Sequence, residues 1–128
     1  MKNLILPFFL LLIISACGQK KTNGDTIAAT IPLSEWEEKM KADPGIILDV
    51  RTPEEFSEGA IGDAQNMDVN GQDFEKQIEN LDKEKTIYVY CRSGKRGTTA
   101  MNILQEKGFK KVYNLEGGIL TWNEAKGK

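Results

Sequence analysis

The sequence has no histidine among its 128 residues and only two cysteines. Without an imidazole there is no Ser–His–Asp triad, no Cys–His pair, no HExxH zinc helix and no histidine metal site. Two cysteines are too few for a four-cysteine zinc site. Charge of one sign is also scarce, since 17 basic and 19 acidic side chains leave a formal net charge of −2. That balance argues against general nucleic-acid binding, which needs a basic face to displace counterions. Chemistry on this chain must run on cysteine, carboxylates, cationic groups or backbone amides, and nothing in the composition implies a cofactor or a metal. With 40% hydrophobic and 28% charged residues, the chain suits one globular domain with a modest core.

Long apolar runs are absent except at the start, where Leu4 to Ile14 spans eleven residues behind Lys2. That length is short for a membrane-spanning helix and suits a signal-peptide core. The run ends in Ile14-Ser15-Ala16-Cys17, which resembles the lipobox of bacterial lipoprotein precursors. The resemblance implies that residues 1–16 are a signal peptide and that Cys17 is lipidated and heads the mature chain. Residues 17–26 then form a polar, glycine-containing tether, and 27–128 the folded domain. The expected place is the bacterial cell envelope, lipid-anchored to the membrane through Cys17 and facing the periplasm or exterior. If the Cys17 thiol carries lipid, Cys91 is left unpaired in an oxidising compartment, which is unusual enough to need a purpose.

Ser34-Glu-Trp-Glu37 and Thr52-Pro-Glu-Glu55 both read as capping boxes opening helices, the second with proline at the first helical position. Gly45 to Val50, Thr86 to Tyr90 and Lys111 to Leu115 are short apolar or β-branched runs and read as strands. Phe74, Ile78 and Leu81 lie at helical spacing; Thr98 to Lys107 has a helical apolar face stopped by Gly108; a last helix holds Trp122. Strands alternating with helices predict an α/β fold with a central, mostly parallel sheet flanked by helices on both faces. Ligands of such sheets bind beyond the carboxyl ends of the strands. Asp49-Val50-Arg51 and Tyr90-Cys91-Arg92 bring reactive groups to that edge.

Cys91 stands where a buried strand gives way to Arg92-Ser93-Gly94-Lys95-Arg96, with a helix expected from about Gly97. A glycine in so short a loop lets backbone N–H groups turn inward together as an anion nest. The next helix adds its positive end, and three cations in five residues strengthen the field. All of these favour a thiolate without any histidine. A thiolate in an anion cradle could attack phosphorus, arsenic or sulfane sulfur. Proteolysis needs a proton donor for its leaving amine, whereas sulfite leaving from thiosulfate is already a stable anion.

Over about Ile27 to Lys126 the chain resembles the single-domain rhodaneses, a sulfurtransferase family. The resemblance rests on Leu48-Asp-Val-Arg-Thr-Pro-Glu-Glu-Phe56, on Tyr90-Cys-Arg-Ser-Gly-Lys-Arg96 and on Asn114-Leu-Glu-Gly-Gly-Ile119 before Trp122. It implies a rhodanese-like sheet of about five strands and Cys91 as the nucleophile that carries a persulfide. Arg92, Ser93, Gly94, Lys95, Arg96 and Gly97 are the expected substrate-binding loop. Its six residues from Cys91 to Arg96 match sulfurtransferases, while related cell-cycle phosphatases use a longer loop with arginine where Gly97 stands. The chain departs from the family at Gly59-Ala60-Ile61-Gly62-Asp63-Ala64, which lacks a frequent histidine, and at Ser93, where thiosulfate-preferring loops carry a basic residue.

Asp49 and Arg51 point to one side of a strand end and are expected to support the loop rather than react. Glu54, Glu55 and Glu58 read as a solvated face complementing the helix dipole, and Trp36 and Trp122 as core. The expected reaction moves sulfane sulfur from a small anionic donor such as thiosulfate, through Cys91, to cyanide or a thiol, a thioredoxin-like protein included. Alternatives are an envelope sulfur carrier with little turnover and, behind it, a phosphatase or arsenate reductase.

Overall fold

The computed structural model describes residues 25–128. The expected signal peptide, the lipidated Cys17 and the tether up to Gly24 lie outside the described residues.

Five parallel strands form one sheet in the order β1-β5-β4-β2-β3. They are β1 (Ile27–Ile31), β2 (Ile46–Asp49), β3 (Gln65–Asn66), β4 (Ile87–Tyr90) and β5 (Lys111–Leu115). The helices are α1 (Leu33–Ala42), α2 (Pro53–Ser57), α3 (Phe74–Ile78), α4 (Lys95–Glu106) and α5 (Gly118–Lys126). The α/β architecture expected from alternating strands and helices is the one found.

Period-two alternation along β4 divides the core between the two faces of the sheet. Ile87, Val89 and Cys91 face a cluster with Phe74 of α3 and Ala100, Met101 and Leu104 of α4. Tyr88 and Tyr90 face the other cluster, with Trp36 of α1 and Ile119 of α5. All four residues of β4 are buried, as a central parallel strand requires. Each large apolar side chain fully enclosed here contributes about 1.5–3 kcal/mol over its exposed state.

Local boundaries differ from the sequence expectations in informative ways. Ser34 caps nothing, because α1 starts at Leu33 with Pro32 as its N-cap and no side-chain cap. Proline holds the chain extended at φ −63° and ψ 157° and turns it into the helix two residues before the expected cap. That start delivers Trp36 to the sheet, where its Nε1–H donates to the Tyr113 carbonyl at 3.2 Å. The second capping box forms as expected: Thr52 Oγ1 accepts from the Glu55 N–H at 3.2 Å, and Glu55 reaches back to the Thr52 N–H. Leu81 is buried but lies beyond α3, which ends at Ile78.

Candidate active site

Parallel strands place every carboxyl end at one edge of the sheet, and Cys91 follows the last residue of central strand β4. Its Sγ accepts a hydrogen bond from the Gly94 N–H at 3.0 Å. Gly94 makes that turn with φ +108°, a backbone conformation open to glycine and strained for other residues. Helix α4 begins at once, at Lys95 rather than near Gly97, so its positive end lies closer to the sulfur than the sequence suggested. Cys91 is only 1% exposed.

Two supports hold the loop from outside. The first turn of α5 donates to it: the Ile119 N–H to the Cys91 carbonyl at 2.8 Å and the Leu120 N–H to the Arg92 carbonyl at 3.2 Å. Gly118 permits this approach, because a Cβ there would collide with both of those carbonyl oxygens. The second support is Asn114 of β5, wholly buried. Its Nδ2 donates to the Gly94 carbonyl at 3.2 Å, to Thr98 Oγ1 at 3.3 Å and to Thr30 Oγ1 at 3.2 Å. Asn114 Oδ1 has no hydrogen-bond partner among the described residues and lies against Gly97, where a Cβ would run into it. Gly97 is thus the residue that lets α4 close over the buried amide.

The loop residues separate into distinct roles. Arg92, Ser93 and Lys95 are exposed at the rim. Arg96 turns the other way and grips Glu55 of α2, Nη1 to Oε1 at 2.6 Å and Nη2 to Oε2 at 2.9 Å. Arginine hydrogen bonds, and then its charge, hold the Glu55 carboxylate down at about 2. Glu55 is therefore part of the site and not the solvated face that its place in a Glu-Glu pair suggested. Glu54 and Glu58 are exposed, as expected.

Asp49 and Arg51 form an ion pair, with Nη2 of Arg51 on Oδ2 of Asp49 at 2.7 Å and Nε on Oδ1 at 3.0 Å. Both are buried. Burial opposes the Arg51 charge, but the bonds and field of Asp49 outweigh it and leave the guanidinium pKa raised. Tyr90 Oη donates to Asp49 Oδ2 at 2.7 Å and accepts from the Ile61 N–H at 3.0 Å. Burial, with the Asp49 bond behind it, pushes the Tyr90 hydroxyl pKa up, so it stays a donor. The pair therefore reaches the loop through the residue directly before Cys91.

A cavity of about 430 Å³ opens beside the loop, walled by Arg51, Glu55, Glu58, Arg92, Ile119 and Leu120 among others. Among the described residues no group of three or more Cys, Asp or Glu side chains is arranged to hold a metal ion. Trp36 is buried core, and Trp122 packs edge-on against it, as expected of both.

A family model for the rhodanese-like domain matches residues 33–125. The chain is 40% identical over 93 residues to YtwF of Bacillus subtilis, covering 72% of this chain and 87% of that one. It is 34% identical over 77 residues to a protein of Allochromatium vinosum named a sulfurtransferase, covering 60% of this chain and 70% of that one. A tRNA uridine(34) hydroxylase of Pelagibacter ubique is 37% identical over 89 residues, 69% of this chain but only 30% of the hydroxylase. Among solved structures, a rhodanese-related protein from Thermoplasma volcanium superposes with a TM-score of 0.66 at 29% identity, covering 76% of this chain and 92% of that one.

Proposed function

The chain belongs to the rhodanese-like family, and from that premise we propose that it is a sulfurtransferase carrying sulfane sulfur as a persulfide on Cys91. The observation that carries this reading is the enclosed sulfur at the helix end. With Cys91 1% exposed, a substrate must offer a protruding terminal atom rather than a bulky reacting centre. A sulfane sulfur is such an atom, and its leaving group departs as an anion without a histidine to protonate it. The relative in Allochromatium vinosum named a sulfurtransferase adds support.

The reaction has two halves. The Cys91 thiolate attacks the outer sulfur of an anionic donor such as thiosulfate; the donor S–S bond breaks and sulfite leaves with its electron pair. Cys91 then bears a persulfide anion whose inner sulfur keeps the Gly94 N–H bond, beside the positive end of α4. Cyanide or a thiolate next attacks the terminal sulfur, and the Cys91 thiolate is released unchanged. Exposed Arg92 and Lys95 draw the donor in. A phosphatase reading is weaker, because Arg96 is held by Glu55 and the next position is Gly97. The hydroxylase is matched over 30% of its length, and its activity is not carried over to this chain.

We place the domain in the bacterial envelope, anchored by lipid on Cys17. Parallel topology supports that arrangement: the chain enters the sheet at Ile27, whose N–H meets the Lys110 carbonyl ahead of β5, while Cys91 opens at the opposite edge. An anchored domain then faces its site away from the bilayer and toward soluble partners such as a thioredoxin-like protein.

The test is intact mass spectrometry of the reduced full chain after exposure to thiosulfate. A gain of one sulfur atom, removed by cyanide and absent from Cys91→Ser, is the expected result. Sulfur that loads but does not pass to cyanide or thiols would identify a carrier. Activity retained in Cys91→Ser would overturn the mechanism.

A further inference from the structure

We propose that Glu55 is a specificity-determining residue: by holding Arg96 it removes one positive charge from the cysteine loop, so that the site favours a singly charged persulfide donor over doubly charged thiosulfate. The proposal rests on the sulfurtransferase reading and names the donor class of that same site.

The loop carries three cations, Arg92, Lys95 and Arg96. Among the described residues, Arg96 alone of these is in an ion pair, and Arg92 and Lys95 are exposed. The Arg96–Glu55 contact is a two-pronged fork at 2.6 and 2.9 Å, with both side chains about three-quarters buried at 25% and 26% exposed. Forked pairs of this kind are held in place, unlike single-contact surface pairs. Glu55 is also fixed from behind, because Thr52 Oγ1 donates to its Oε1 at 3.2 Å and caps α2. With the carboxylate ionised down to about pH 2, the pair is neutral wherever Cys91 could react. Glu58 and Lys128 line the same cavity as Glu55 and Arg92 and add one side-chain charge of each sign, so the Glu55–Arg96 pairing is what changes the charge balance of the loop.

A cancelled charge penalises a dianion twice as much as a monoanion, since Coulomb energy scales with ligand charge. Thiosulfate carries two negative charges. A small hydropersulfide such as cysteine hydropersulfide has a net charge of minus one at most near neutral pH. Its transfer step balances without any redox partner: the Cys91 thiolate attacks the terminal sulfur of R–S–SH, the S–S bond breaks, and RS⁻ leaves with the electron pair. Cys91 is left as the hydropersulfide.

The experiment measures the rates at which thiosulfate and cysteine hydropersulfide load sulfur onto Cys91 of the full chain. Three proteins are compared: wild type, Glu55→Gln and the double variant Glu55→Gln/Arg96→Gln. Glutamine at this helix position keeps the capping box, so α2 is retained. Glu55→Gln should raise the thiosulfate-to-hydropersulfide rate ratio about tenfold at low salt, and less at high salt. The double variant loses both charges and should return the ratio to within about twofold of wild type. An unchanged ratio in Glu55→Gln, or a raised ratio that the double variant does not restore, would overturn the proposal and leave the pair as a structural clamp. Failure of both donors to load wild-type Cys91 would instead overturn the sulfurtransferase reading beneath it.

Discussion

Asn114 and Cys91 hold the same glycine from opposite sides. Nδ2 of Asn114 donates to the Gly94 carbonyl at 3.2 Å, and the Gly94 N–H donates to Cys91 Sγ at 3.0 Å. The amide of a buried strand residue thereby braces the carbonyl of the same glycine whose N–H faces the sulfur, one peptide unit away, although it never touches the sulfur itself. The loop owes its shape to β5 as much as to its own sequence.

Asn114→Ala should therefore slow sulfur loading onto Cys91 by about tenfold or more, since small misplacement of a positioned donor is costly in rate. It removes one donor from the Gly94 carbonyl, which keeps the Thr98 N–H and the Thr98 hydroxyl at 3.0 Å each, and takes the Nδ2 donor from the Thr30 hydroxyl, so stability should fall by about 1 kcal/mol. Oδ1 is not missed, because among the described residues it has no partner to lose. Loading kinetics and urea denaturation of the same preparation separate the two effects. A normal loading rate in a destabilised variant would show that Asn114 serves the fold alone.

Arg51→Met tests the other support. Asp49 is wholly buried, and its carboxylate is shared between Arg51 and the Tyr90 hydroxyl. Removing the guanidinium leaves a buried carboxylate without its cation and the Gly59 carbonyl without a donor that now stands at 2.6 Å. The expected loss is about 3–5 kcal/mol in chemical denaturation, as for other broken buried pairs. Adding Asp49→Asn should recover part of it, because the uncompensated charge is then gone. A loss that the second substitution leaves unchanged would assign the effect to packing of the arginine stem.

Much of this architecture was legible because β4, Ile87–Tyr90, is a continuous apolar run, and a central parallel strand needs both faces covered. Cys91 was legible for the same reason: it ends that run and is followed by a glycine and cations. Strand β1 was not, since Ile27–Ile31 is an edge strand of two isoleucines around three smaller residues, with a mixed burial pattern and no clear period. Two-residue β3 is too short to carry any pattern. Glu55 was hidden by distance, as its partner Arg96 lies 41 residues on. Its place as the third helical residue also supplied a sufficient local explanation. Asn114 left two traces, its place at the head of the Asn114–Ile119 motif and a polar amide within the otherwise mostly apolar strand Lys111–Leu115, but only the tertiary structure shows what it meets.

The Glu55–Arg96 pair makes a pH prediction whose direction is fixed by the fold. Hydrogen bonds from Arg96, and then its charge, lower the Glu55 carboxylate from an ordinary 4.5 to about 2. The folded protein therefore holds this proton less readily than the unfolded chain does, so the pair stabilises the fold fully above the unfolded value. That contribution is lost as pH falls from the unfolded value through about 2. Both partners are about a quarter exposed, so solvent screening leaves a contribution on the order of 1 kcal/mol rather than the full value of the shift. Glu55→Gln has no proton to take up in this window. Its stability should run flatter than wild type in urea titrations from about pH 6 to about pH 2. The two curves should converge toward acid, where the wild-type carboxyl is neutral too. Parallel curves across that range would mean that Arg96 does not hold Glu55 in solution, and the charge cancellation at the cysteine loop would go with it.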